Sequence, residues 1–475
     1  MLRPWTPLLA VALIVAARAA FGQSLDMGIP ELNQLNPALT GSGIVVAQAE
    51  ALYGGTNAFE VNPAVVGQPA GKFIYTDLNG SVSTTFNSSD ESGHAEAVGG
   101  NFYGSSGGVA PGVSEIYNYE ADYFVNDIIT DGVAIPARIV NQSFVFVTNG
   151  NTTEQAQGQQ IYDNYAATYN TLFISGVGNG GAVLAPASSY NGIGVAAYGG
   201  QSSTGPTYDG RSKPDITAPA TETSYSTPYV SGAATLLLQA AEDGDAGSVT
   251  DASDARTLKA LLLNGATKPP GWTHTDTAPL DPNYGAGIVN VYNSYLNLVA
   301  GEYRSSASTS GSAAPVSAGV IVPDQGWNLA TITTPLLSGS YTSESDHYLF
   351  DLTSSTAPQF TLTSTLTWWR QAGQTDINNL DLYLFDVTTG DAIAVSDSTV
   401  DNVQELYVQD LGPGDYDLVV LKDGGQPLSS GGTVVSGSET YALAFNFSPV
   451  PEPPASWLLL LALLLIPLRK PARHP

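Results

Sequence analysis

The sequence predicts an α/β protein, a mostly parallel sheet with helices on both faces, followed by an antiparallel β-sandwich domain. Three observations predict it. From about Gly41 to Leu298, short β-branched runs alternate with Ala-rich helical stretches, as in a parallel sheet wrapped by helices. A Ser/Ala/Gly-rich stretch, Ser305–Ala318, then reads as a linker. Beyond it come closely spaced apolar runs separated by Gly-Pro-Gly and Asp-Gly-Gly turns, the pattern of hairpin-connected strands.

In chain order, the buried strands of the first unit are expected at Ile44–Ala47, Glu115–Tyr117, Arg138–Val140, Leu172–Ser175 and Gly194–Ala197. The helical patterns are Ala95–Phe102, Glu154–Tyr169, Pro228–Ala241 and Ala255–Leu263. In such a sheet ligands bind beyond the carboxyl ends of the strands. The second unit is expected to be jelly-roll-like and to end near Phe447. Its strands are Tyr348–Leu352, Gln359–Leu366, Leu380–Phe385, Ala392–Ser396, Glu405–Val408 and Tyr416–Leu421.

Composition narrows the function. At 475 residues the chain is long enough for two folded units and processing segments. A formal charge of −28 repels phosphate backbones, so nucleic acid is excluded as a partner. With no cysteine there is no disulfide framework and no thiol nucleophile, which leaves oxygen nucleophiles, metals or carboxylates to carry any chemistry.

The two ends read as addresses. Residues 1–22 combine Arg3, an apolar stretch from Leu8 to Ala17 and small-residue cleavage sites, which is a secretory signal peptide. Residues 449–475 carry Val450-Pro451-Glu452-Pro453, an apolar run from Trp457 to Leu468, and then Arg469, Lys470 and Arg473. This tail resembles the PEP-CTERM sorting signal of Gram-negative bacteria, which implies cutting near Pro-Glu-Pro by an exosortase. Twelve apolar residues are fewer than the roughly 20 a spanning helix needs, so membrane contact through the tail would be transient.

Three short segments carry candidate chemistry. His94 lies in Ser92-Gly93-His94-Ala95-Glu96-Ala97-Val98-Gly99-Gly100, whose small residues allow close helix packing. Ser224 stands just before an Ala/Leu-rich helix, where backbone N–H groups can bind a developing anion, although a serine there also suits a helix cap. Asn179 follows a strand and two glycines in Ser175-Gly176-Val177-Gly178-Asn179-Gly180, placing an amide donor next to backbone that a ligand can approach. Gly104-Ser105-Ser106-Gly107-Gly108 fits a nucleophile-elbow pattern, but it lacks the preceding strand and following helix and reads as a glycine-rich loop.

Taken in order, these segments resemble the subtilisin-like serine peptidases (subtilases) from Gly41 to about Leu298. Gly41–Ala47 matches the first core strand, His94–Gly100 the histidine motif, and Gly108–Pro111 and Val140–Ser143 the next landmarks. Lys213–Pro219 matches the segment before the nucleophile and Tyr284–Asn290 the closing motif. The resemblance implies Ser224 as nucleophile, His94 as general base, Glu50 at the acid position and Asn179 in the oxyanion hole. It also implies Ser143, Phe144 and Val145 as substrate-binding residues.

The pattern departs from the family in five respects. Glu50 replaces an aspartate, Glu222 replaces the glycine two before the nucleophile, and the segment from Pro219 to Ser224 is short. Val145 replaces a glycine of the pocket wall, which would block large side chains. About twenty residues separate the expected signal cleavage from the first strand, leaving no room for a domain-sized propeptide.

The expected organisation is therefore a signal peptide (1–22), a peptidase domain (23–300), a linker (301–318), a β-sandwich (319–448) and a sorting tail (449–475). The expected function is an exported serine endopeptidase, at the cell surface or in the extracellular matrix of a Gram-negative bacterium. Its expected partners are protein or peptide substrates, signal peptidase and an exosortase-type processing enzyme. The alternative is a catalytically degenerate subtilase fold kept as a surface or matrix binding protein. No cofactor is assigned. Asp376-Ile377-Asn378-Asn379-Leu380-Asp381 offers oxygen ligands that could take calcium, with no residue assigned to it.

Overall fold

The computed structural model describes residues 27–52, 57–148, 150–311, 313–337, 340–427 and 437–450. The expected signal peptide and the sorting tail from residue 451 onward lie outside the described residues. Among the described residues no helix is long and apolar enough to cross a membrane.

The first unit is built on eight strands: β1 (Val45–Glu50), β2 (Phe73–Thr76), β3 (Val82–Ser83), β4 (Glu115–Glu120), β5 (Ile139–Gln142), β6 (Leu172–Gly176), β7 (Ile193–Tyr198) and β8 (Ile216–Pro219). They lie in the order β3-β2-β4-β1-β5-β6-β7-β8. Every pair is parallel except β2 with β3. This is a subtilisin-like α/β fold. After β4 the chain crosses to the other side of β1, so β1 ends at a topological switch point, where α/β proteins place ligands. Glu50 is the last residue of that strand.

The strands are buried on both faces, and successive side chains point to different clusters. Val46, Ile116, Ile139, Ile174 and Val195 face one hydrophobic cluster, while Ala47, Val140 and Phe173 face another. The numbered helices are α1 (Ile29–Leu35), α2 (Gly93–Phe102), α3 (Thr152–Tyr169), α4 (Thr223–Glu242), α5 (Ala255–Asn264) and α6 (Val291–Ala300). Tyr162, Tyr165 and Ala166 of α3 pack on the Phe173 face. On the other face α4 packs on β5, β6, β7 and β8, and also touches α2, α5 and α6. Because α4 is enclosed on nearly all sides, it is Ala-rich rather than amphipathic.

Two antiparallel sheets follow, consistent with a β-sandwich. One has the order β10-β19-β14-β17 and the other β16-β15-β18-β13-β9. The strands are β9 (Ala307–Ser310), β10 (Gln325–Thr333), β13 (Glu344–Asp351), β14 (Phe360–Trp368), β15 (Asn378–Asp386), β16 (Ala392–Ser396), β17 (Val403–Leu411), β18 (Asp415–Pro427) and β19 (Ser438–Pro449), with a short pair β11 (Leu336–Leu337) and β12 (Ser340–Tyr341) between β10 and β13. Leu362, Leu366, Leu443 and Phe445 meet Tyr348, Phe350, Leu382 and Leu418 in its core.

The expected linker is not a free tether. Ala307–Ser310 pairs antiparallel with β13, and Thr309 Oγ1 lies 2.9 Å from His347 Nε2. His347 in turn bonds Asp417 through Nδ1 at 2.8 Å, in a fully buried site. Small polar residues read as linker composition, but their hydroxyls satisfy buried partners on the sheet.

Nor is the sandwich a loose appendage. Strand β19 is buried on both sides: Leu443 and Phe445 face the sandwich core, while Ala442 and Ala444 join the first unit's core beside α5. The alanines leave room for the helix. Polar groups fix the register: Asn191 Nδ2 donates to Arg370 O at 2.9 Å and Arg370 N donates to Asn191 Oδ1 at 2.8 Å. Arg370 Nη2 lies 2.6 Å from the buried Asp163 carboxylate, and Lys268 pairs with the buried Glu405. Burial pushes Glu405 up to about 7 despite the opposing Lys268 charge.

A chain ending at residue 303 would expose the α5 face and leave Asp163 without its Arg370 partner. Such a chain is expected to lose fixed tertiary structure, while residues 23–448 unfold in one cooperative step. Near-UV circular dichroism and thermal scans check this, and two separate transitions in the longer chain would contradict it.

Candidate active site

The candidate residues converge on the carboxyl end of the sheet from three directions. Glu50 ends β1, His94 stands in the first turn of α2, and Ser224 stands in the first turn of α4. Ser92 caps α2 by accepting from Ala95 N at 3.3 Å, which fixes where the helix starts and so where His94 projects. The His94 Nδ1 to Glu50 Oε2 distance is 2.8 Å, with the Glu50 side chain 1% exposed and that of His94 20%. The extra methylene of glutamate is therefore accommodated.

Helix α4 is tied to both neighbouring segments. Asn101 Nδ2 of α2 donates to Tyr225 O at 3.1 Å, joining the histidine helix to the serine helix. The His94 and Tyr225 rings lie 6.0 Å apart. Pro228 has no N–H, so the carbonyl four residues earlier, that of Ser224, has no intrahelical donor. The Ser143 hydroxyl supplies one, donating to Ser224 O at 2.9 Å. Ser143 Oγ in turn accepts from Asn141 Nδ2 at 3.2 Å, and Asn141 Oδ1 accepts from Ser231 Oγ at 2.9 Å. This ladder pins the exit of β5 against the start of α4. The Ser224 hydroxyl makes a long bond to Ser143 O, 3.5 Å.

Asn179 closes the other side. Its Oδ1 accepts from Thr223 N and Thr223 Oγ1, both at 2.9 Å, which orients the amide so that Nδ2 is free to donate elsewhere. That amide nitrogen donates to Glu222 Oε2 at 3.5 Å. Glu222 sits at the N-cap of α4, where its side chain makes no capping bond and brings a negative charge to the helix start. Burial alone would lower the His94 pKa; the hydrogen bond and charge of Glu50 and the charge of Glu222 outweigh it, so the pKa is raised above 6.5.

Ser143 meets Ser224 through two hydrogen bonds, and Phe144 and Val145 follow it in the chain. Val145 Cγ1 stands 3.7 Å from where a Cβ on Gly178 would lie, so a side chain at residue 178 would fill the space between the two segments. Beside them opens a cavity of about 330 Å³ lined by Ala51, Val125, Phe144, Val145, Phe146 and Val147. Gly104–Gly108 contains only turns and no strand. Among the described residues no group of three or more His, Asp or Glu side chains could hold a metal ion, the Asp376–Asp381 segment included. Burial and the neighbouring Asp423 and Asp397 push Asp381 up to about 7.

Gln48 and Tyr103 are two residues at this site that the sequence reading passed over. Gln48 stands two before Glu50, on the same face of β1, and a fully buried amide in an otherwise Val/Ala strand was the available signal.

An acid residue holding an imidazole, a serine at a helix start and an amide donor beside it, on a parallel α/β sheet, together define the class of serine hydrolases. More specifically, residues 26–287, over half the chain, match the model of the subtilase family (Peptidase_S8), and the chain belongs to that family. Membership supports a serine-type peptidase. No curated protein matches the chain. Similar solved structures include a protease from Pseudoalteromonas arctica PAMC 21717, 17% identical over 58% of this chain and 94% of its own, with a TM-score of 0.39. A cold-adapted subtilisin-like serine proteinase is 17% identical over 56% of this chain and 97% of its own, with a TM-score of 0.38. The CspB protease of Clostridium perfringens is 14% identical over 59% and 99%, with a TM-score of 0.43.

With His94 as general base, which must be neutral to accept a proton, activity is expected to fall as pH drops through its pKa. The acid limb of the pH–rate profile is expected above pH 6.5. Replacing Glu222 with Gln removes a charge that raises this pKa, so the limb should move to lower pH; a limb that stays in place would contradict the assignment.

Proposed function

We propose that the protein is an exported serine endopeptidase that cleaves peptide bonds through an acyl-enzyme intermediate. The observation that carries the reading is the 2.8 Å contact between His94 Nδ1 and the buried Glu50 carboxylate, with the His94 ring 6.0 Å from that of Tyr225, the residue after Ser224. Glu50 holds the imidazole with Nε2 toward the substrate and stabilises the imidazolium that forms. The Ser224 hydroxyl turns from the Ser143 carbonyl to His94, attacks the peptide carbonyl as His94 takes its proton, and the same proton passes to the leaving amine. Asn179 Nδ2 and the Ser224 N–H stabilise the oxyanion.

In this reading, export uses residues 1–22, cut by signal peptidase. Residues 449–475 direct the product, through an exosortase-type enzyme, to the surface or matrix of a Gram-negative cell.

One observation favours the second reading, a degenerate fold kept for binding. Glu222 places a carboxylate 3.5 Å from the Asn179 amide, where an oxyanion would develop. Labelling purified residues 23–448 with a fluorophosphonate probe separates the two. Adduct at Ser224, absent from Ser224→Ala, is expected; a folded protein that takes no label would leave the binding role. Asn179→Ala should then reduce kcat by about 10²–10³, the known effect of losing one oxyanion-hole donor in this family.

The narrow space between Val145 and the backbone at Gly178 also sets a preference. An aromatic ring between two walls needs them about 7 Å apart, two van der Waals contacts of ~3.5 Å. The slot beside Ser224 therefore suits substrates with Gly or Ala at the cleaved residue. Profiling with a peptide library should show that preference, and Val145→Gly should widen it toward Leu and Phe; a wild type that already favours Phe would rule it out.

A further inference from the structure

The mechanism above leaves unexplained how a glutamate, with one more rotatable bond than aspartate, is held for one carboxylate oxygen to meet His94. Its other oxygen answers this. Gln48 Nε2 donates to Glu50 Oε1 at 2.8 Å and also to Ala95 O at 2.9 Å, so one amide touches both the acid and the helix that carries His94. Gln48 Oε1 accepts from the Tyr103 hydroxyl at 2.6 Å. Gln48 and Tyr103 are both 0% exposed, so no water competes for these bonds.

The orientation of the amide follows from its partners. Reversed, its oxygen would face a carboxylate and a carbonyl, two acceptors, so only the observed orientation satisfies all the groups. Tyr103 holds its proton as the donor: burial and the Glu50 charge raise its pKa well above 10. Space for that hydroxyl comes from Gly99 on α2, where a Cβ would lie 2.7 Å from Tyr103 Oη. One glycine of the histidine motif thus makes room for the second group behind the acid.

We infer that Gln48, oriented by Tyr103, is a positioning residue that locks the Glu50 carboxylate in register with His94. The inference rests on the peptidase reading, in which Glu50 is the triad acid. The charged and titratable groups facing His94 are Glu50 from β1 and Glu222 from the start of α4, with the Tyr225 ring alongside. Loss of Gln48 lets the carboxylate rotate, so the bond to Nδ1 is made only part of the time.

The test uses residues 23–448 with isotope-labelled histidine. These residues hold only three of the sequence's four histidines, His94, His274 and His347, and the His94 signal is identified by its loss in His94→Ala. NMR titration should give a raised His94 pKa in the wild type and a lower one in Gln48→Leu and Tyr103→Phe. This reading needs no turnover, so it decides the inference even if the wild type proves inert, an outcome that would sink only the peptidase reading. With an active wild type, Gln48→Leu should lower kcat about 10- to 100-fold, the range for a hydrogen bond to a charged group, with KM unchanged. In a Glu50→Gln background the same change should cost almost nothing, because there is no carboxylate left to position. An unaltered His94 titration in the variants, or an equal loss in both backgrounds, would overturn the inference. If Gln48→Leu does not fold, Tyr103→Phe, which removes only a hydroxyl, carries both measurements.

Discussion

The structure depends on one buried helix. Helix α4 lies across four strands of the sheet, and its first turn is where the site is assembled, so whatever fixes that turn fixes the chemistry. The decisive detail is a missing donor. Pro228 cannot bond the Ser224 carbonyl, and the Ser143 hydroxyl takes its place, coupling the helix start to the end of β5. An unsatisfied buried carbonyl costs about 1–3 kcal/mol, comparable to a large part of a domain's net stability. Ser143 is therefore held by the same bond that holds the Ser224 backbone. A substrate lying along Ser143–Val145 would be registered to Ser224 through a contact of the fold itself.

The same helix explains why the second unit is docked. Helix α5 packs on α4 from one side and receives the Ala442/Ala444 face of β19 from the other, so the interface with the sandwich is one helix away from the catalytic helix. The apolar layer is crossed by the Lys268–Glu405 pair and by the exchange between Asn191 and the Arg370 backbone. Buried charges at such a boundary add little net stability, but separating them would strand Glu405 and Asp163 in a dry layer. Docking is thus made specific by polar groups and cohesive by alanines.

Much of this was legible in the sequence, and the gaps have physical causes. Each strand expected in the first unit lies on an observed one, because β-branched runs buried on both faces leave little ambiguity. Strands β2, β3 and β8 went unread: β3 is only two residues long, and β2 and β8, with Tyr-Thr and Thr-Ala-Pro among their four residues, lack the apolar run that marked β5. Ser305–Ala318 misled because composition registers solvation preference, whereas Thr309 meets His347 through a contact thirty-eight residues away in the chain. At the site, residue types at family positions pointed to Glu50, His94, Asn179 and Ser224, but their distances could not be read. Gln48 and Tyr103 were missed for the same reason: the bond between them spans 55 residues, and no local spacing announces it.

The electrostatics of the site set two demands against each other. Glu50 and Glu222 both raise the basicity of His94, which in the proposed mechanism favours proton removal from Ser224. The oxyanion that follows carries charge of the same sign as both. Glu50 is buried on the far side of the imidazole, where its charge is matched by the imidazolium as that forms. Glu222 has no such compensation: it stands at the N-terminus of α4, where the helix offers the equivalent of only about half a positive charge against its full negative one. What rescues the arrangement is solvent, since Glu222 is only partly buried and its field is screened far more than that of Glu50. The site therefore tolerates Glu222 so long as water reaches it. A substrate that seals the cleft strengthens that repulsion as it binds, so the chain should turn over short or loosely seated peptides better than those that bury the start of α4 completely.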